Sequence, residues 1–397
     1  MNETIRVSGV GCCLVDRLYN NVSFSSDTFQ SYSSKKRGDG GLIPGHLVLK
    51  EEFEAFAKKD LKYILNKLTD ERLPDKINVG GPCIVALIHA AQITYDLGCD
   101  IQFYGCYGDD YNGEILTSTL QKLPVNISNY KQIGNLTPST DVLSDPDYDN
   151  GHGERVFINS IGSAWSYLPE NVDVDFYNSD IVVFGGTALV PKIHNNLTEL
   201  LQKSKDNGCI TIVNTVFDFV NDKVTPYKRW PLGKSDESYK NIDLLIVDRD
   251  EALHLSGENN LDKAMQFFKK KQTGAVIITN GAKNTRLYAD NKLFGKIDAK
   301  EMPISNLISE KIKENLYKGD TTGCGDNFVG GVIASLIFQL NEGKKTLNLE
   351  EACILGIVSG GYACLYIGGT FFEKHPGEKY QLITPVLNDY KEQIKNE

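Results

Sequence analysis

Residues 318–336 read KGDTTGCGDNFVGGVIASL, a glycine-rich stretch that leads directly into an apolar run. After Asp326, apolar residues recur at helical spacing as far as Leu340, so we expect a helix to begin between Gly323 and Asp326. The first amides of a helix have no internal partner and carry the positive end of its dipole. Glycine at that point leaves the backbone open to a ligand. The stretch therefore predicts an anion site, most often one for phosphate.

A carboxylate beside an anion site is unfavourable unless it takes part in the chemistry. Asp326 fits that position if it accepts a proton from a hydroxyl group that then attacks phosphorus. We expect the field of the helix to keep Asp326 ionised and therefore only weakly basic. A second interpretation stays open here, in which Asp326 merely caps the helix and the glycines merely form a tight turn.

The composition of the chain excludes several classes of protein. With 397 residues, a formal net charge of −10 and 41% apolar residues, it is typical of a globular protein without general affinity for nucleic acid or anionic membranes. Nine cysteines without a CxxC pair, and an N-terminus without a signal-like segment, predict buried thiols and a cytoplasmic location. The uncharged stretch from Ala352 to Phe372 contains glycine pairs, which favours a buried helix and a turn over a membrane span.

The order of the apolar runs predicts the fold class. Runs of Val, Ile and Leu alternate with helical patterns over residues 180–281, which indicates a parallel sheet buried on both faces. We therefore expect a single α/β domain over 1–397, with a doubly wound, mainly parallel sheet flanked by helices. A small β-rich lid is expected from about 12–50 and 135–163, with an insertion that includes a helix at about 51–68.

The segment DTTGCGD, from Asp320 to Asp326, resembles the C-terminal signature of the ribokinase-like (pfkB) family of carbohydrate kinases. The resemblance covers most of the chain and implies a ribokinase-like fold. It also implies that the backbone of Gly323, Cys324 and Gly325 forms an anion hole and that Asp326 is the general base. The family usually has alanine at the position of Cys324. We expect this exchange to be tolerated, because the acting group is a backbone amide, and to make the site sensitive to thiol reagents.

The same resemblance assigns the other site residues. Asp16 takes the position of the aspartate that binds sugar hydroxyls, and Gly80 and Gly81 that of the glycine pair beside the sugar. The nucleotide and metal positions follow in the family's order: Thr279, Gly281 and Thr321 for the nucleotide, and Glu251 and Asp248 for the metal. The implied cofactors are ATP and Mg²⁺, and a requirement for a monovalent cation is left open.

Several departures from the family leave the acceptor open. Val85 stands where many members carry an asparagine that contacts the sugar, and Asn214 stands where they carry an aspartate. We expect a sugar or sugar-like acceptor, with a nucleoside as the alternative in the same fold. A sugar- or nucleoside-binding protein without catalysis is a further alternative, and a homodimer through the lid is left open.

Basic residues near the lid are candidates for contact with an anionic substrate. For Arg155 we expect an ion pair within its own hairpin, with substrate contact as the alternative; the weaker candidates are Lys35, Lys36 and Arg37.

Two other nucleotide folds are set aside. Leu14 occupies the place of the third glycine of a dinucleotide fingerprint, and the LGKS stretch at 232–235 lacks the upstream glycine of a P-loop.

Overall fold

Two β-sheets organise the protein. The computed structural model describes residues 4–36, 38–151, 153–225, 227–314 and 319–396, so Arg37 lies outside the described residues. The strands are, in chain order, β1 (Arg6–Gly11), β2 (Leu14–Tyr19), β3 (Leu47–Leu49), β4 (Lys76–Gly80), β5 (Asp100–Tyr107), β6 (Tyr130–Gln132), β7 (Ser139–Asp145), β8 (Glu154–Ser160), β9 (Ile181–Gly185), β10 (Ile210–Asn214), β11 (Leu244–Asp248), β12 (Ala275–Asn280), β13 (Lys283–Ala289) and β14 (Ile297–Met302).

Helices connect these strands. The α-helices are, in chain order, α1 (Asp27–Tyr32), α2 (Lys50–Ala57), α3 (Leu61–Leu68), α4 (Pro82–Ile93), α5 (Tyr111–Leu120), α6 (Tyr148–Gly151), α7 (Pro191–Asn195), α8 (Leu197–Asp206), α9 (Phe219–Val224), α10 (Glu237–Lys240), α11 (Arg249–Ser256), α12 (Leu261–Lys270), α13 (Asn306–Lys313), α14 (Cys324–Asn341), α15 (Leu349–Ala363) and α16 (Glu378–Asn396).

The larger sheet has nine strands in the order β14-β13-β12-β11-β10-β9-β1-β5-β6. The strands from β12 to β6 in this order run parallel, and β13 and β14 add an antiparallel edge. Val183 and Ile277 enter an apolar core with α4, α14 and α15, whereas Val182 and Val276 enter a second core with α8, α11 and α12. Both faces of the sheet are therefore buried, and the predicted doubly wound α/β fold is confirmed.

The uncharged stretch near the C-terminus forms α15, which packs against α14 and is followed by a turn. This agrees with the buried helix expected from its glycine pairs. Within the described residues, no helix combines the length and the apolar character that a membrane crossing requires.

The smaller sheet, called the lid sheet here after the role predicted for it, has five strands in the order β3-β8-β7-β2-β4. Asn78 pairs with Asp16, Asp16 with Thr140, and Thr140 with Asn159 across four of its strands. Residues paired directly across neighbouring strands point to the same face of a sheet. These four buried polar side chains therefore form one row, and we call the face that carries it the inner face.

The opposite, outer face of the lid sheet is covered by the chain's own helices. Leu143 and Ile158 of this face join an apolar core with Phe53 of α2 and Ile64 of α3. A lid dimer through this face would have to displace these helices, and the homodimer predicted through the lid stays a prediction.

The prediction of a single helix over residues 51–68 is wrong, because two helices occupy this segment. Helix α2 ends at Ala57, and its C-cap Lys58 has a left-handed backbone with φ of 54°. Asp60 then starts α3 by accepting a hydrogen bond from the amide of Tyr63 at 2.8 Å. A helical apolar stripe continues through both helices, so periodicity alone did not reveal the break.

The core behind the lid sheet gives a first prediction. Replacement of Phe53, which is 0% exposed, by alanine is expected to lower the free energy of unfolding by about 3–5 kcal/mol, because it leaves a cavity. Tyr63→Ala is the matched control on α3: its side chain is 43% exposed, and a change within about 0.5 kcal/mol is expected. Urea unfolding of both variants tests this, and equal losses in the two would contradict it.

Candidate active site

Helix α14 begins where two backbone segments touch. Gly323, its N-cap, has φ of 74°, and a Cβ added there would lie 2.3 Å from the Cα of Gly369. A side chain at Gly323 is therefore excluded both by the backbone conformation and by the neighbouring segment. Glycine at this position fixes how closely the start of α14 approaches the segment that follows α15.

Two amides at the start of α14 are available to a ligand. The amide of Cys324 donates to the carbonyl of Thr321 at 3.3 Å, whereas those of Gly325 and Asp326 have no acceptor in the part of the chain that the structure describes. A Cβ built on Gly325 would meet no atom within 4 Å, so the space beside this backbone is open. Unpaired N–H groups at the positive end of a helix suit an anion.

A buried amide and a buried ammonium group hold this entrance in place. The Nδ2 atom of Asn327 donates to the carbonyls of Gly323 and Gly369, both at 2.8 Å. Its Oδ1 atom accepts from the Nζ atom of Lys379 at 2.7 Å and from the hydroxyl of Tyr366 at 3.1 Å. Because an ammonium group can only donate, it fixes which end of the Asn327 amide faces the two carbonyls. Burial lowers the pKa of Lys379 to about 7. The sequence interpretation missed both Asn327 and Lys379, since neither belongs to the DTTGCGD segment.

Two carboxylates from distant parts of the chain approach each other beside this entrance. Asp326 is partly buried, and burial raises its pKa to about 6. Asp16, on the inner face of the lid sheet, is 7% exposed. Burial, together with the charges of Asp326 and Asp320, raises the pKa of Asp16 to about 8. Asp326 is therefore more basic than the helix field alone would make it, because burial disfavours the charged carboxylate, whereas a pKa of about 6 still leaves it mostly ionised at neutral pH as expected.

The glycine pair predicted beside the substrate makes room for one of these carboxylates. A Cβ on Gly80 would lie 2.1 Å from the Oδ2 atom of Asp16. Gly81 has φ of 115°, and a Cβ there would lie 2.2 Å from the carbonyl oxygen of Cys12. Both positions require glycine. Gly80 lies directly against Asp16, and Gly81 lies against the backbone of Cys12 at the start of α4.

Arg155 crosses from the lid sheet to the turn before α14. Its guanidinium group donates to the hydroxyl of Thr322 at 2.8 Å and also to the hydroxyl of Thr321. The hairpin ion pair expected for Arg155 is thus replaced by a contact with the glycine loop. Lys35 and Lys36 are exposed, and the ammonium group of Lys35 donates to the carbonyl of Gln30. Of these lid cations, Arg155 is the one that reaches the entrance of α14.

Most of the residues predicted for the nucleotide and the metal lie at or just after the carboxyl ends of neighbouring strands. Thr321, also predicted for the nucleotide, lies instead on the turn before α14. Asp248 at the end of β11 pairs in register with Thr279 of β12. The turn after β12 contains Gly281 at φ of 55°, with open space beside it. Asp248 caps α11, and its Oδ1 atom accepts from the amide of Glu251 at 2.7 Å.

The donor groups here suit a magnesium ion held largely through water. The Oε2 atom of Glu251 accepts from the hydroxyl of Thr215 at 2.6 Å and from the amide of Asp248 at 3.0 Å, which leaves Oε1 for a further contact. Burial and the neighbouring Asp248 raise the pKa of Glu251 to about 8. Among the described residues, no group of three or more His, Cys, Asp or Glu side chains could hold a metal ion directly. Asp248 and Glu251 supply two carboxylates, and Mg²⁺ is usually held by one or two carboxylates together with waters and substrate phosphates.

Comparison with known proteins decides the family. The profile described as pfkB family carbohydrate kinase matches residues 90–375. The chain belongs to the pfkB family of carbohydrate kinases. The resemblance drawn from the DTTGCGD segment is thereby confirmed.

Two curated relatives of this pfkB family chain act on different molecules. It is 25% identical to inositol 3-kinase from Arabidopsis thaliana over 225 residues. The aligned segment covers 56% of this chain and 53% of that protein. The chain is 26% identical over 287 residues to adenosine kinase from Schizosaccharomyces pombe, which covers 68% of the chain and 74% of that protein. The chain thus spans about half the length of the first relative and about three quarters of the second.

Solved structures share the fold. Adenosine kinase from Schistosoma mansoni in complex with 2-fluoroadenosine matches with a TM-score of 0.68 at 16% identity, covering 92% of this chain and 97% of that one. Ribokinase from Thermotoga maritima matches with a TM-score of 0.58 at 18% identity, covering 97% and 99%. The fold of this pfkB family chain is therefore ribokinase-like.

Other polar groups at the site escaped the sequence interpretation. Asn78, Thr140 and Asn159 join Asp16 in the inner row of the lid sheet, and Asn159 donates to the hydroxyl of Thr140 at 2.9 Å. The Oδ1 atom of Asn214, at the end of β10, is buried without a partner among the described residues. The sequence names Asn214 as a departure from the family, but the row depends on strand register and has no local signal.

A cavity of about 910 Å³ lies between the lid sheet and the main body. Leu47 and Leu49 line it from the lid sheet, and Trp165, Phe217 and His254 line it from the body. Phe217 packs edge-on against Trp230, and Trp230 stacks on His254 at 4.2 Å between ring centroids. This cavity offers apolar and aromatic surface that the polar row does not.

The raised pKa of Asp326 makes the stability of the protein depend on pH. The folded-state pKa of about 6 exceeds the unfolded value of about 3.9, so the folded state loses stability as the pH rises from about 4 through 6. Asp326→Asn removes this loss. We expect the variant to be more stable than the parent by about 1–3 kcal/mol at pH 8 and nearly equal to it at pH 4. Urea unfolding at both pH values measures the difference; a parent protein that is the more stable at pH 8 would contradict the burial of Asp326.

Proposed function

We propose that this chain is an ATP-dependent kinase that transfers the γ-phosphoryl group of ATP to a hydroxyl group of a sugar or sugar-like molecule. The observation that carries the proposal is the entrance of α14, where the unpaired amides of Gly325 and Asp326 adjoin the partly buried carboxyl group of Asp326. A pure binding protein has no need of a base beside an anion site. Family membership supports the same chemistry.

In this proposal Asp326 accepts the proton of the acceptor hydroxyl. The hydroxyl oxygen forms a bond to the γ-phosphorus, the bond from phosphorus to the β,γ-bridging oxygen breaks, and ADP leaves. A pKa of about 6 leaves Asp326 mostly ionised at neutral pH and makes it a stronger base than an exposed aspartate. Because the transition state is loose, positioning of the hydroxyl group matters more than base strength.

The backbone of Gly323, Cys324 and Gly325 holds the phosphoryl group during transfer in this proposal. The open N–H groups of this turn are those of Gly325 and Asp326, since that of Cys324 already donates within the turn. They are fixed before the substrate arrives, so they stabilise charge on the phosphoryl oxygens without reorganising. Arg155 supplies a positive charge from the lid sheet, and its hydrogen bonds to Thr321 and Thr322 place it beside the same loop.

The nucleotide and its magnesium are assigned to the carboxyl ends of β11 and β12. Thr279 and Gly281 border the nucleotide, and Asp248 and Glu251 contact the hydration shell of the ion. Magnesium, when bound, would neutralise charge on the phosphates. The requirement for a monovalent cation stays open, and a cytoplasmic location stays a prediction.

A polyhydroxylated acceptor is favoured by the inner row of the lid sheet. Asp16, Asn78, Thr140 and Asn159 present carboxyl, amide and hydroxyl groups side by side, which suits several adjacent hydroxyl groups of one ring. Gly80 lets the acceptor approach Asp16 along bare backbone. Val85 provides no polar contact of the kind that an asparagine would, so the acceptor is expected to rely on the lid row.

A nucleoside is the second candidate acceptor. The cavity bordered by Phe217 and Trp165 has the apolar and aromatic walls against which a flat base would pack. In this version the hydroxyl groups of the nucleoside still lie against Asp16. The acceptor screen described below decides between the two.

The central prediction concerns Asp326→Asn. Loss of the proton acceptor is expected to lower kcat by about 10²–10⁴-fold while ATP binding survives. In the parent protein kcat should rise with pH through about 6. Rates are measured as ADP release, and ATP binding by calorimetry.

The matched control for this variant is Asp109→Asn, which changes an exposed carboxylate on the turn after β5. It should leave kcat unchanged. If Asp326→Asn turns over as fast as the parent, Asp326 is not the proton acceptor and the proposed chemistry fails.

Arg155 gives a second test of the site. Arg155→Ala should lower kcat by about 10–10²-fold, because one charged hydrogen-bonding group is lost from the loop. Arg155→Lys should restore little, since lysine lacks the planar fork that reaches two hydroxyl groups at once. Arg286→Ala, on β13 in the antiparallel part of the larger sheet, serves as the control and should leave kcat unchanged. If kcat is unchanged in Arg155→Ala, Arg155 has only a structural role and does not contribute to phosphoryl transfer.

The acceptor is best found by screening the purified chain with ATP and magnesium against monosaccharides, inositols and nucleosides. ADP release that depends on one class identifies the acceptor. ADP release that depends on nucleosides alone would show that the proposed sugar-like acceptor is wrong, while the proposed phosphoryl transfer would stand. If no compound in any of the three classes supports release, the protein is better described as a binding protein.

A further inference from the structure

Two thiols meet at the anion hole. The Sγ atoms of Cys324 and Cys364 lie 3.1 Å apart. Cys324 is the first residue of α14, and Cys364 is the C-cap of α15, 40 residues further along the chain. Both side chains are partly exposed. Among the described residues, no other two cysteines are in hydrogen-bond contact.

We propose that Cys324 and Cys364 form a site of covalent modification, at which a hydroperoxide joins them in a reversible disulfide that disables the anion hole. The loss of phosphoryl transfer rests on the proposed function. The formation of the disulfide does not, because it depends on the geometry of the two thiols alone.

The chemistry is a two-step oxidation with a hydroperoxide as the oxidant. The thiolate of one cysteine attacks the peroxide oxygen, which gives a sulfenic acid and releases water from hydrogen peroxide after protonation. The thiol of the other cysteine then attacks the sulfenic sulfur, forms the S–S bond and releases a second water. Two thiols and one hydrogen peroxide thus become one disulfide and two waters. A dithiol reductant reverses the reaction by thiol–disulfide exchange.

The surroundings favour reaction at this pair over the other cysteines. The hydrogen bond from Cys324 lowers the pKa of the Cys364 thiol, and the nearby guanidinium group of Arg155 acts in the same direction. By contrast, Cys83 and Cys353 are fully buried, and burial raises the pKa of both thiols. A thiolate is the reactive form, so oxidation should begin at Cys364.

Formation of the bond would displace the start of α14. The S–S distance in a disulfide is about 2.05 Å, so the sulfur atoms must approach by about 1 Å from their present separation. Little slack exists between the two helices. A Cβ on Gly360 would lie 2.9 Å from the carbonyl oxygen of Cys324, and one on Gly331 would lie 2.6 Å from that of Leu355. The displacement would therefore fall on the loop that carries the open amides.

An error of about 1 Å in a phosphoryl-binding group is enough to lower turnover by about 10²-fold. Cys324 precedes Gly325 and Asp326, so a shift of its backbone moves both open amides and the base together. The disulfide would also tie α14 to the end of α15. The expected result is an oxidised protein that is folded and inactive.

The test treats the full chain with hydrogen peroxide and divides it for two readouts. Non-reducing peptide mass spectrometry should find the peptides of Cys324 and Cys364 joined, with two hydrogens lost. ADP release with the acceptor identified by screening should fall at least about tenfold and recover with dithiothreitol. Circular dichroism of the oxidised protein should match that of the reduced protein.

Variants separate this site from general oxidation. Cys364→Ser should keep its activity both before and after peroxide, because serine cannot form the bond and Cys364 has no part in the proposed catalysis. Cys99→Ser changes another partly exposed cysteine, and it should be joined and inactivated like the parent. Cys324→Ala should yield no joined peptide.

Each of three outcomes would overturn the proposal. The first is that no joined peptide is found after treatment with peroxide, and the second is that the joined protein is fully active. The third is that Cys364→Ser is inactivated by peroxide as readily as the parent. A chain that phosphorylates no acceptor overturns the inactivation step together with the proposed function. In that case the mass spectrum still shows whether Cys324 and Cys364 form a disulfide, because detection of the joined peptide requires no turnover.

Discussion

The backbone contact between Gly323 and Gly369 is the constraint on which the candidate site depends. It brings the start of α14 against the segment after α15 with no side chain between them. Asn327 then bonds the carbonyls of both glycines, and Lys379 fixes the orientation of that amide. The open N–H groups of the entrance are thereby aimed before any ligand binds, which is the condition for stabilising charge without reorganisation.

The site concentrates groups that are unfavourable for stability. Burial raises the pKa values of Asp16, Asp326 and Glu251 and lowers that of Lys379, so each is less stable as an ion than it would be in water. The two large apolar cores on either side of the nine-stranded sheet offset this cost. Such a concentration of buried charge beside open backbone is typical of sites where chemistry, not stability, determines the residues.

The insertion after β2 changes what the lid sheet can do. Helices α1 to α3 build a third apolar core on its outer face, with Phe29, Phe53 and Ile64 at 0% exposure. The outer face therefore stabilises the sheet, and the inner face is free to carry a polar row. Arg155 extends this inner face as far as the turn before α14. Under the proposed function, recognition of the acceptor and placement of the phosphoryl group would meet at this one contact between the lid sheet and the body.

The sequence by itself determined the doubly wound sheet, the start of α14 and the family, because periodicity, helix-end glycines and the DTTGCGD signature are local properties. It also named Asp16, the glycine pair and Asp326 as candidate site residues, in the order in which the family carries them along the chain. Tertiary structure decided the basicity of Asp326, since desolvation depends on what packs around it. It decided the contact of Arg155 with Thr322, 167 residues away, the polar row and the support from Lys379. These depend on strand register and on packing between distant segments, and neither leaves a periodic trace in the chain.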